Sequence, residues 1–372
     1  MDTARPSGTT AGPRAGAPRT GWHRLTVTDV RRLTDDAVAV TLGVPGTLRE
    51  VFPGRPGAHV VVRHRLGGAE VRRSYSVCPP PGDPAALRLV VKRGRPDGFG
   101  AWAATALAPG DTLELSAPVA NFSLPDLPGG HHVLVAGGSG ITPLAALAAD
   151  ALRTDPACRV SLVHAVPTAA SALLADEMAE LKDAFVDRFT ALYVLTREDR
   201  ESELFTGRVD GPKLLRLLTA LDARPGPGTS FALCGPAGLT DTARRTLTAW
   251  GAEPSAVRTE VFTADGAPAP PVPVPADAAP DTKVTAVIAG RSSVVAVEPQ
   301  DAVILDALLR VRPDVPYACR DGVCGSCRAK VVTGAVVLGS QQALDAGDLA
   351  AGYTLVCRAR PRTGEVTVDF DV

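Results

Sequence analysis

The segment that most restricts the fold follows Phe262, where the chain reads TADGAPAPPVPVPADAAPD. Proline fixes φ and removes a backbone donor, so a stretch of Pro, Ala and Asp favours extended, polyproline-like conformers and builds no core. Residues 263–281 therefore read as a linker, which excludes one core running the length of the chain. About 240 ordered residues (22–262) stand on one side and about 90 (282–372) on the other, the latter the size of one small domain. The first 21 residues, MDTARPSGTTAGPRAGAPRTG, are too poor in apolar groups to offset their ordering entropy and read as a disordered tail outside the fold.

With 372 residues and 45% hydrophobic composition, the chain has material for two or three cores. Its 39 basic and 40 acidic side chains leave a net charge of −1 and are mixed along the sequence. No broad surface for nucleic acid or anionic lipid is expected. No apolar run reaches the roughly 20 residues that cross a bilayer, and residues 1–21 lack the apolar segment of a secretory signal. The expectation is a cytoplasmic protein without nucleic-acid or membrane partners. Seven cysteines, an odd number, argue for reduced thiols or metal ligands over a disulfide framework.

Residues 22–125 carry short β-branched runs (HRLTVTDVRRL, AVAVTLGV, AHVVVRH, LRLVVKR, DTLELSAP) punctuated by Gly and Pro, the pattern of an antiparallel barrel. Over residues 126–262 apolar strands alternate with helical stretches: HHVLVAG with ITPLAALAADALR, RVSLVHAV with ALLADEMAELKDAF, SFALCGP with ARRTLTAWG. That alternation predicts a parallel sheet flanked by helices.

Cys319, Cys324 and Cys327 form C-x4-C-x2-C, and Cys357 follows. This spacing matches plant-type [2Fe–2S] ferredoxins. A loop bringing three sulfurs to one inorganic core must bend sharply, and Gly322 and Gly325 permit the bend. Zinc sites more often pair their ligands as C-x2-C knuckles; a zinc site or buried free thiols remain the alternatives. The surrounding PYACRDGVCGSCRAKVVTGAVVL and GYTLVCRARPRTGEVTVDFDV closely resemble the C-terminal ferredoxin domains of bacterial oxygenase reductases.

Three further motifs occur in a fixed order. Arg73-Ser74-Tyr75-Ser76 offers a fixed cation for phosphate, an aromatic surface and a small donor. Taken alone it is equally an ordinary strand. It resembles the R-x-Y-S motif of the ferredoxin–NADP reductase superfamily, and the resemblance implies that Arg73 pairs with flavin phosphate, Tyr75 lies against the flavin and Ser76 reaches its N5 edge. VVKRGRPDGFGAW resembles that family's second flavin segment, implying a cofactor contact along Val91, Lys92, Gly98, Phe99, Gly100 and Ala101. Gly100 departs from the pattern, since relatives usually carry Ser or Thr there, and this leaves FMN open beside FAD.

Gly137-Gly138-Ser139-Gly140-Ile141-Thr142-Pro143 joins a strand to a helix N-terminus, a geometry that binds pyrophosphate. It resembles the family's G-x-G-x-x-P turn, implying NADPH or NADH contacts from Gly138, Ser139, Gly140, Thr142 and Pro143. Cys234-Gly235-Pro236 resembles the C-G-P-x-x-M motif, whose Cys packs beside the nicotinamide; Leu239 replaces the Met. Glu260-Val261-Phe262 resembles the E-x-F ending of reductases that continue into a ferredoxin, which puts Glu260 near the transfer site and Phe262 near the flavin. Thr196 and Arg197 fall where relatives bind the adenosine ribose, and Arg197 is suited to a 2′-phosphate. Cys78 and Cys158 have no such context.

The order of these motifs is similar to that of flavin- and nicotinamide-dependent oxygenase reductases over residues 22–372. ADEMAELKDAFVDRF, LTRE, LFTGRVDGPKL and LAAGYTLVCRARP look most like the reductase subunits of phenylacetyl-CoA epoxidase systems. The resemblance implies three domains: a flavin-binding antiparallel β-barrel, a nicotinamide-binding α/β parallel sheet and an α+β β-grasp ferredoxin domain. It implies an NAD(P)H-dependent oxidoreductase holding FAD and a [2Fe–2S] cluster, with a terminal oxygenase as its protein partner. Ser76, Cys234, Glu260 and Phe262 are the candidate catalytic residues. A non-enzymatic iron–sulfur carrier or redox sensor, and a stand-alone oxidoreductase acting on a small molecule, are the competing readings.

Overall fold

A computed structural model describes residues 21–78, 86–120, 122–262, 270–274, 281–344 and 346–372. The expected N-terminal tail, apart from Gly21, and most of the expected linker lie outside these residues. The linker residues inside them are 270–274 and 281; the stretch 270–274 has no regular secondary structure, yet it does not stand clear of the C-terminal block: Val272 is 5% exposed and the Pro270 carbonyl accepts from Arg358. Its apolar side chains give this proline-rich stretch something to bury.

The first sheet comprises β1 (Trp22–Thr34), β2 (Ala37–Gly43), β3 (Ala58–Leu66), β4 (Ala69–Ser76), β5 (Leu87–Lys92), β6 (Thr112–Ser116) and β7 (Val119–Ala120), with helix α1 (Phe99–Thr105) between β5 and β6. The order β4-β3-β6-β1-β2-β5 is antiparallel throughout, and β7 pairs with β3. A bridge between Val77 and Leu89 joins the two ends into a barrel. Alternation along the strands sends Leu25 and Val27, Val38 and Val40, and Val60 and Val62 into one core. At the start of α1 a Cβ on Gly100 would lie 2.0 Å from the Lys92 carbonyl oxygen. The glycine that breaks the family pattern is thus required by the close packing of α1 on the end of β5.

The second sheet is parallel, in the order β10-β9-β8-β11-β12. Its elements are β8 (His131–Gly137), α2 (Ile141–Thr154), β9 (Arg159–Val166), α3 (Ala175–Ala184), β10 (Phe189–Leu195), α4 (Gly211–Ala220), β11 (Thr229–Gly235), α5 (Ala237–Ala249) and β12 (Val257–Val261). Helices cover both faces, with Ile141 and Leu144 of α2 in one core and Leu214, Leu217 and Leu218 of α4 in the other. Helix α4 has a sequence signal that the strand–helix alternation above passed over: Asp210 caps it by accepting from Lys213 N at 2.9 Å, and a proline follows in the first turn.

The C-terminal block folds from β13 (Lys283–Ile288), β14 (Arg291–Ala296), α6 (Ile304–Leu309), β15 (Arg328–Thr333), β16 (Val336–Leu338), α7 (Ala346–Ala350), β17 (Tyr353–Leu355), β18 (Ala359–Pro361) and β19 (Glu365–Asp369). Its main sheet runs β14-β13-β19-β15-β17, with β13 and β19 parallel and the other pairs antiparallel, and Ile304, Leu305 and Leu308 of α6 packed on it. Among the described residues no helix is long and apolar enough to cross a membrane.

A buried ion pair ties the first two sheets together. Arg88 on β5 donates to the Cys78 carbonyl (2.9 Å) and sulfur (3.2 Å), and its terminal nitrogens grip both carboxylate oxygens of Glu177 on α3 at 2.7 and 2.8 Å. Burial opposes the charge, but the Glu177 carboxylate outweighs it and leaves Arg88 above its ordinary pKa.

Gly100→Ser should lower the unfolding free energy by about 1–3 kcal/mol through overpacking against Lys92 and Arg93. Urea denaturation checks this, and a variant of unchanged stability would show that α1 moves off β5 without penalty.

Candidate active site

In a doubly wound parallel sheet, ligands bind beyond the carboxyl ends of the strands where the order reverses. Those strands are β8 and β11. The Gly137–Pro143 turn leaves the first, and Cys234-Gly235-Pro236 ends the second. The two turns touch backbone to backbone: a Cβ on Gly140 would lie 2.1 Å from the Cys234 carbonyl oxygen, and one on Gly235 would lie 2.9 Å from Gly137 Cα. Leu239, in the place of the family Met, packs over Gly137. Gly138 takes φ 52° with open space on its Cβ side, Thr142 Oγ1 donates to Ser139 O at 3.0 Å, and Pro143 lies in the first turn of α2. No side chain caps that helix, so its N-terminus is available to an anion.

Sequence reasoning missed His164, which lies beneath this turn. It is fully buried on β9 with Nε2 3.0 Å from the Gly138 carbonyl oxygen. Burial lowers its pKa to about 4, so it is neutral at neutral pH; because a carbonyl only accepts, Nε2 carries the proton. One histidine in an apolar strand gives no periodic signal that could have revealed this. Thr196 and Arg197 lie beyond the edge strand β10, their amides bonded to Val166 O and Pro167 O, both at 2.8 Å, and the Arg197 side chain is exposed. Glu198 accepts from Ala169 N at 2.8 Å.

Parallel pairing of β11 with β12 puts Cys234 opposite Glu260, with Cys234 Sγ 3.7 Å from Glu260 Oε2. Burial raises the Cys234 pKa well above the thiol range and lifts Glu260 to about 7, while Cys234 and then Ser76 draw the carboxyl part of the way back. Ser76, from the barrel, therefore meets Glu260 of the parallel-sheet domain, on which Cys234 also converges. Phe262 N donates to Gly235 O at 3.0 Å, and its ring packs on the core beside α2.

Arg73, Ser74, Tyr75 and Ser76 all lie on β4. The Ser74 hydroxyl is buried and makes no hydrogen bond. A buried hydroxyl left open in this way fits a ligand rich in polar edges, as a flavin is. The Tyr75 and Phe99 rings lie 5.8 Å apart, and Lys92 pairs with Asp36 at 3.1 Å. Gly98 precedes the first turn of α1, with Ala101 inside it; Val91 turns its side chain into the barrel core.

All seven cysteines are free. In the cluster loop, Arg320, Gly322 and Gly325 take φ of 61°, 76° and 67°, and a Cβ on Gly322 would lie 2.8 Å from the Arg358 side chain. The Asp321 amide lies 3.3 Å from Cys319 Sγ. The Cys324 thiol, then the backbone amides of Cys324, Val323 and Asp321, hold the Cys319 pKa down at about 6 against burial. Among the described residues no three His, Cys, Asp or Glu side chains converge as ligands of a single metal ion. The sulfurs interact in two pairs, Cys319 with Cys324 and Cys327 with Cys357, and the Ser326 hydroxyl lies against Cys324. Two irons, each requiring two thiolates, fit that pairing.

Family profiles match all three parts of the chain: an oxidoreductase FAD-binding domain over residues 24–124, an oxidoreductase NAD-binding domain over 134–245 and a 2Fe-2S iron-sulfur cluster binding domain over 286–362. The chain belongs to the oxygenase reductases of the ferredoxin–NADP reductase superfamily that end in a plant-type [2Fe–2S] domain. It is 36% identical over 357 residues to a subunit of the 1,2-phenylacetyl-CoA epoxidase of Escherichia coli, a match covering 95% of this chain and 98% of that protein. It is 33% identical over 362 residues to the ferredoxin reductase component of the 3-ketosteroid-9-alpha-monooxygenase of Rhodococcus rhodochrous, covering 93% and 96%. Phthalate dioxygenase reductase shares the fold, with a TM-score of 0.56 and 23% identity over 94% of this chain and 98% of that one. The chain is thus an NAD(P)H-dependent reductase that passes electrons through FAD to a [2Fe–2S] cluster.

A carboxyl raised from 4.5 to about 7 on folding keeps its proton in the native state after the unfolded chain has lost it. Its contribution to stability is therefore fully present below about pH 4.5 and declines as the pH rises through about 7. Thermal melts of the wild type and Glu260→Gln across that window should show the wild type losing ground to the variant as pH rises. A constant difference would mean that Glu260 titrates as an ordinary carboxylate.

Proposed function

We propose that this chain is the reductase component of an oxygenase system working in the cytoplasm, and that its electrons leave for a separate oxygenase of the phenylacetyl-CoA epoxidase kind. The observation that carries this reading is the convergence of Ser76 from the barrel with Cys234 and Glu260 from the parallel-sheet domain at one buried point. We divide the chain into a flavin domain (22–125), a nicotinamide domain (126–262) and a ferredoxin domain (282–372).

When bound, FAD takes hydride as an electron pair and releases electrons singly to a cluster that accepts one at a time. The chain's own residues hold and orient. Arg73 and the turn at Gly98–Ala101 bind the flavin phosphates, Tyr75 and Phe262 pack on the ring system, and Ser76 presents its hydroxyl to the ring edge. The amides of Gly138–Gly140, with Thr142 and Pro143 behind them, cradle the nicotinamide pyrophosphate, and His164 fixes that turn through Gly138. Cys234 stays a neutral thiol and excludes water from the transfer site, while Glu260 holds a proton there up to near-neutral pH. Cys319, Cys324, Cys327 and Cys357 ligate the irons. No nucleophile or metal for substrate oxidation is part of this constellation, which suits a partner that performs that chemistry.

Arg197, exposed beyond the sheet edge, is the 2′-phosphate contact. With such an oxygenase and phenylacetyl-CoA added, oxygen uptake should depend on this chain and show a KM for NADPH about ten- to a hundredfold below that for NADH, the range of a charge-assisted hydrogen bond. Arg197→Ala should remove the difference through KM. A wild-type preference for NADH would overturn the Arg197 assignment, and uptake indifferent to the chain would overturn the partner.

A further inference from the structure

A second meeting of domains involves the residue next to the flavin motif. Successive residues of a strand face opposite sides, so Arg72 and Arg73 on β4 project from different faces of the sheet. Arg72 is 7% exposed, and its guanidinium lies between two rings, 4.9 Å from the centroid of Trp22 and 4.0 Å from that of Tyr317. Its Nε donates to Glu70 at 2.8 Å, and Nη1 lies 3.5 Å from the Val315 carbonyl oxygen. Trp22 belongs to the barrel and carries Arg63 at 4.3 Å from its ring as well; Tyr317 belongs to the C-terminal block, two residues before Cys319.

On the neighbouring strand, His59 Nε2 lies 3.4 Å from Ser326 Oγ, and Ser326 sits between Cys324 and Cys327. His59 is itself the β3 partner of Ser76. Both flanks of the cluster loop therefore rest on the strand pair that carries the flavin motif. A small cavity of about 30 Å³, lined by Trp22, Val61, Val315, Tyr317 and Ser326, lies in the seam between them.

We propose that this seam is the docking interface that holds the cluster loop against the flavin strand pair, and that Arg72 is its principal positioning residue. A planar, weakly hydrated guanidinium can lie against two aromatic rings at a buried position, which the compact, strongly hydrated ammonium of lysine does less well. The electron leaving the flavin domain has to reach a cluster held at short range, so the seam acts on that step and not on hydride transfer.

Arg72→Met, Arg72→Lys and Tyr317→Phe should be made in the full chain, assayed for flavin and iron, and mixed anaerobically with NADPH. Flavin bleaching should keep its wild-type rate. The cluster bleaching that follows should slow by about tenfold or more in Arg72→Met, as expected when reacting groups lose their alignment. Arg72→Lys, which keeps the charge and loses the planar stack, should slow nearly as much, and Tyr317→Phe, which keeps the ring, should match the wild type. Small-angle scattering should give a larger radius of gyration for Arg72→Met than for the wild type. Cluster bleaching at the wild-type rate in Arg72→Met would overturn the proposal. So would loss of its iron, because the seam would then be a folding element of the ferredoxin domain. The inference rests on the assignment of the cluster to Cys319, Cys324, Cys327 and Cys357. A wild-type cluster that never bleaches retires that assignment, whereas normal wild-type bleaching unaffected by Arg72→Met retires the seam alone.

Discussion

The meeting of the barrel with the parallel sheet depends on a guanidinium buried between the two. Arg88 is 2% exposed, bound on one side to the sulfur and carbonyl of Cys78 and on the other to both oxygens of Glu177. Cys78 lies two residues beyond Ser76, so this tie sits close to the residue that meets Glu260. Buried ion pairs add little net stability, but removing one partner strands the other charge at a cost of about 3–5 kcal/mol. Such a pair therefore penalises every docking of barrel on parallel sheet other than the one that satisfies it. The convergence of Ser76, Cys234 and Glu260 follows from that restriction.

Close backbone approach does comparable work at the two nucleotide turns and at the cluster loop. Gly140 and Gly235 allow the ends of β8 and β11 to touch, and Gly100 allows α1 to lie on β5; a Cβ at any of them would meet main chain at under 3.0 Å. Around Cys319 the left-handed residues Arg320 and Gly322 flank an amide, that of Asp321, which points at the sulfur. Each of these turns is thus shaped by backbone held in place by packing behind it.

Much of this was legible in the sequence. Alternating β-branched runs disclosed five barrel strands, and strand–helix alternation disclosed the parallel sheet, because both periodicities record burial directly. The cysteine spacing and the glycine turns were legible for a related reason, since metal geometry and close approach restrict which residues are allowed. What escaped was set by contacts between segments far apart in the chain. Arg88 reads as one arginine in an apolar strand, and nothing near it in sequence points to Glu177. Arg72 was hidden beside the more telling Arg73, and His59 and Ser326 are separated by the whole nicotinamide domain. Gly100 looked like a missing hydroxyl and proved to be a packing requirement. The linker reads as a spacer by composition, yet Val272 finds a place to bury against the C-terminal block.

The flavin is an obligatory intermediary in the proposed function, because the turn at Cys234 lies beside Glu260 and Ser76 while the cluster loop rests on the barrel. The most direct test uses the full chain stripped of FAD but retaining its iron and sulfide. On anaerobic addition of NADPH or NADH the cluster should stay oxidised, judged by its visible absorption and by electron paramagnetic resonance, and restoring FAD should let it become reduced. Reduction of the cluster in the flavin-free chain would contradict the linear order from nicotinamide through flavin to iron–sulfur.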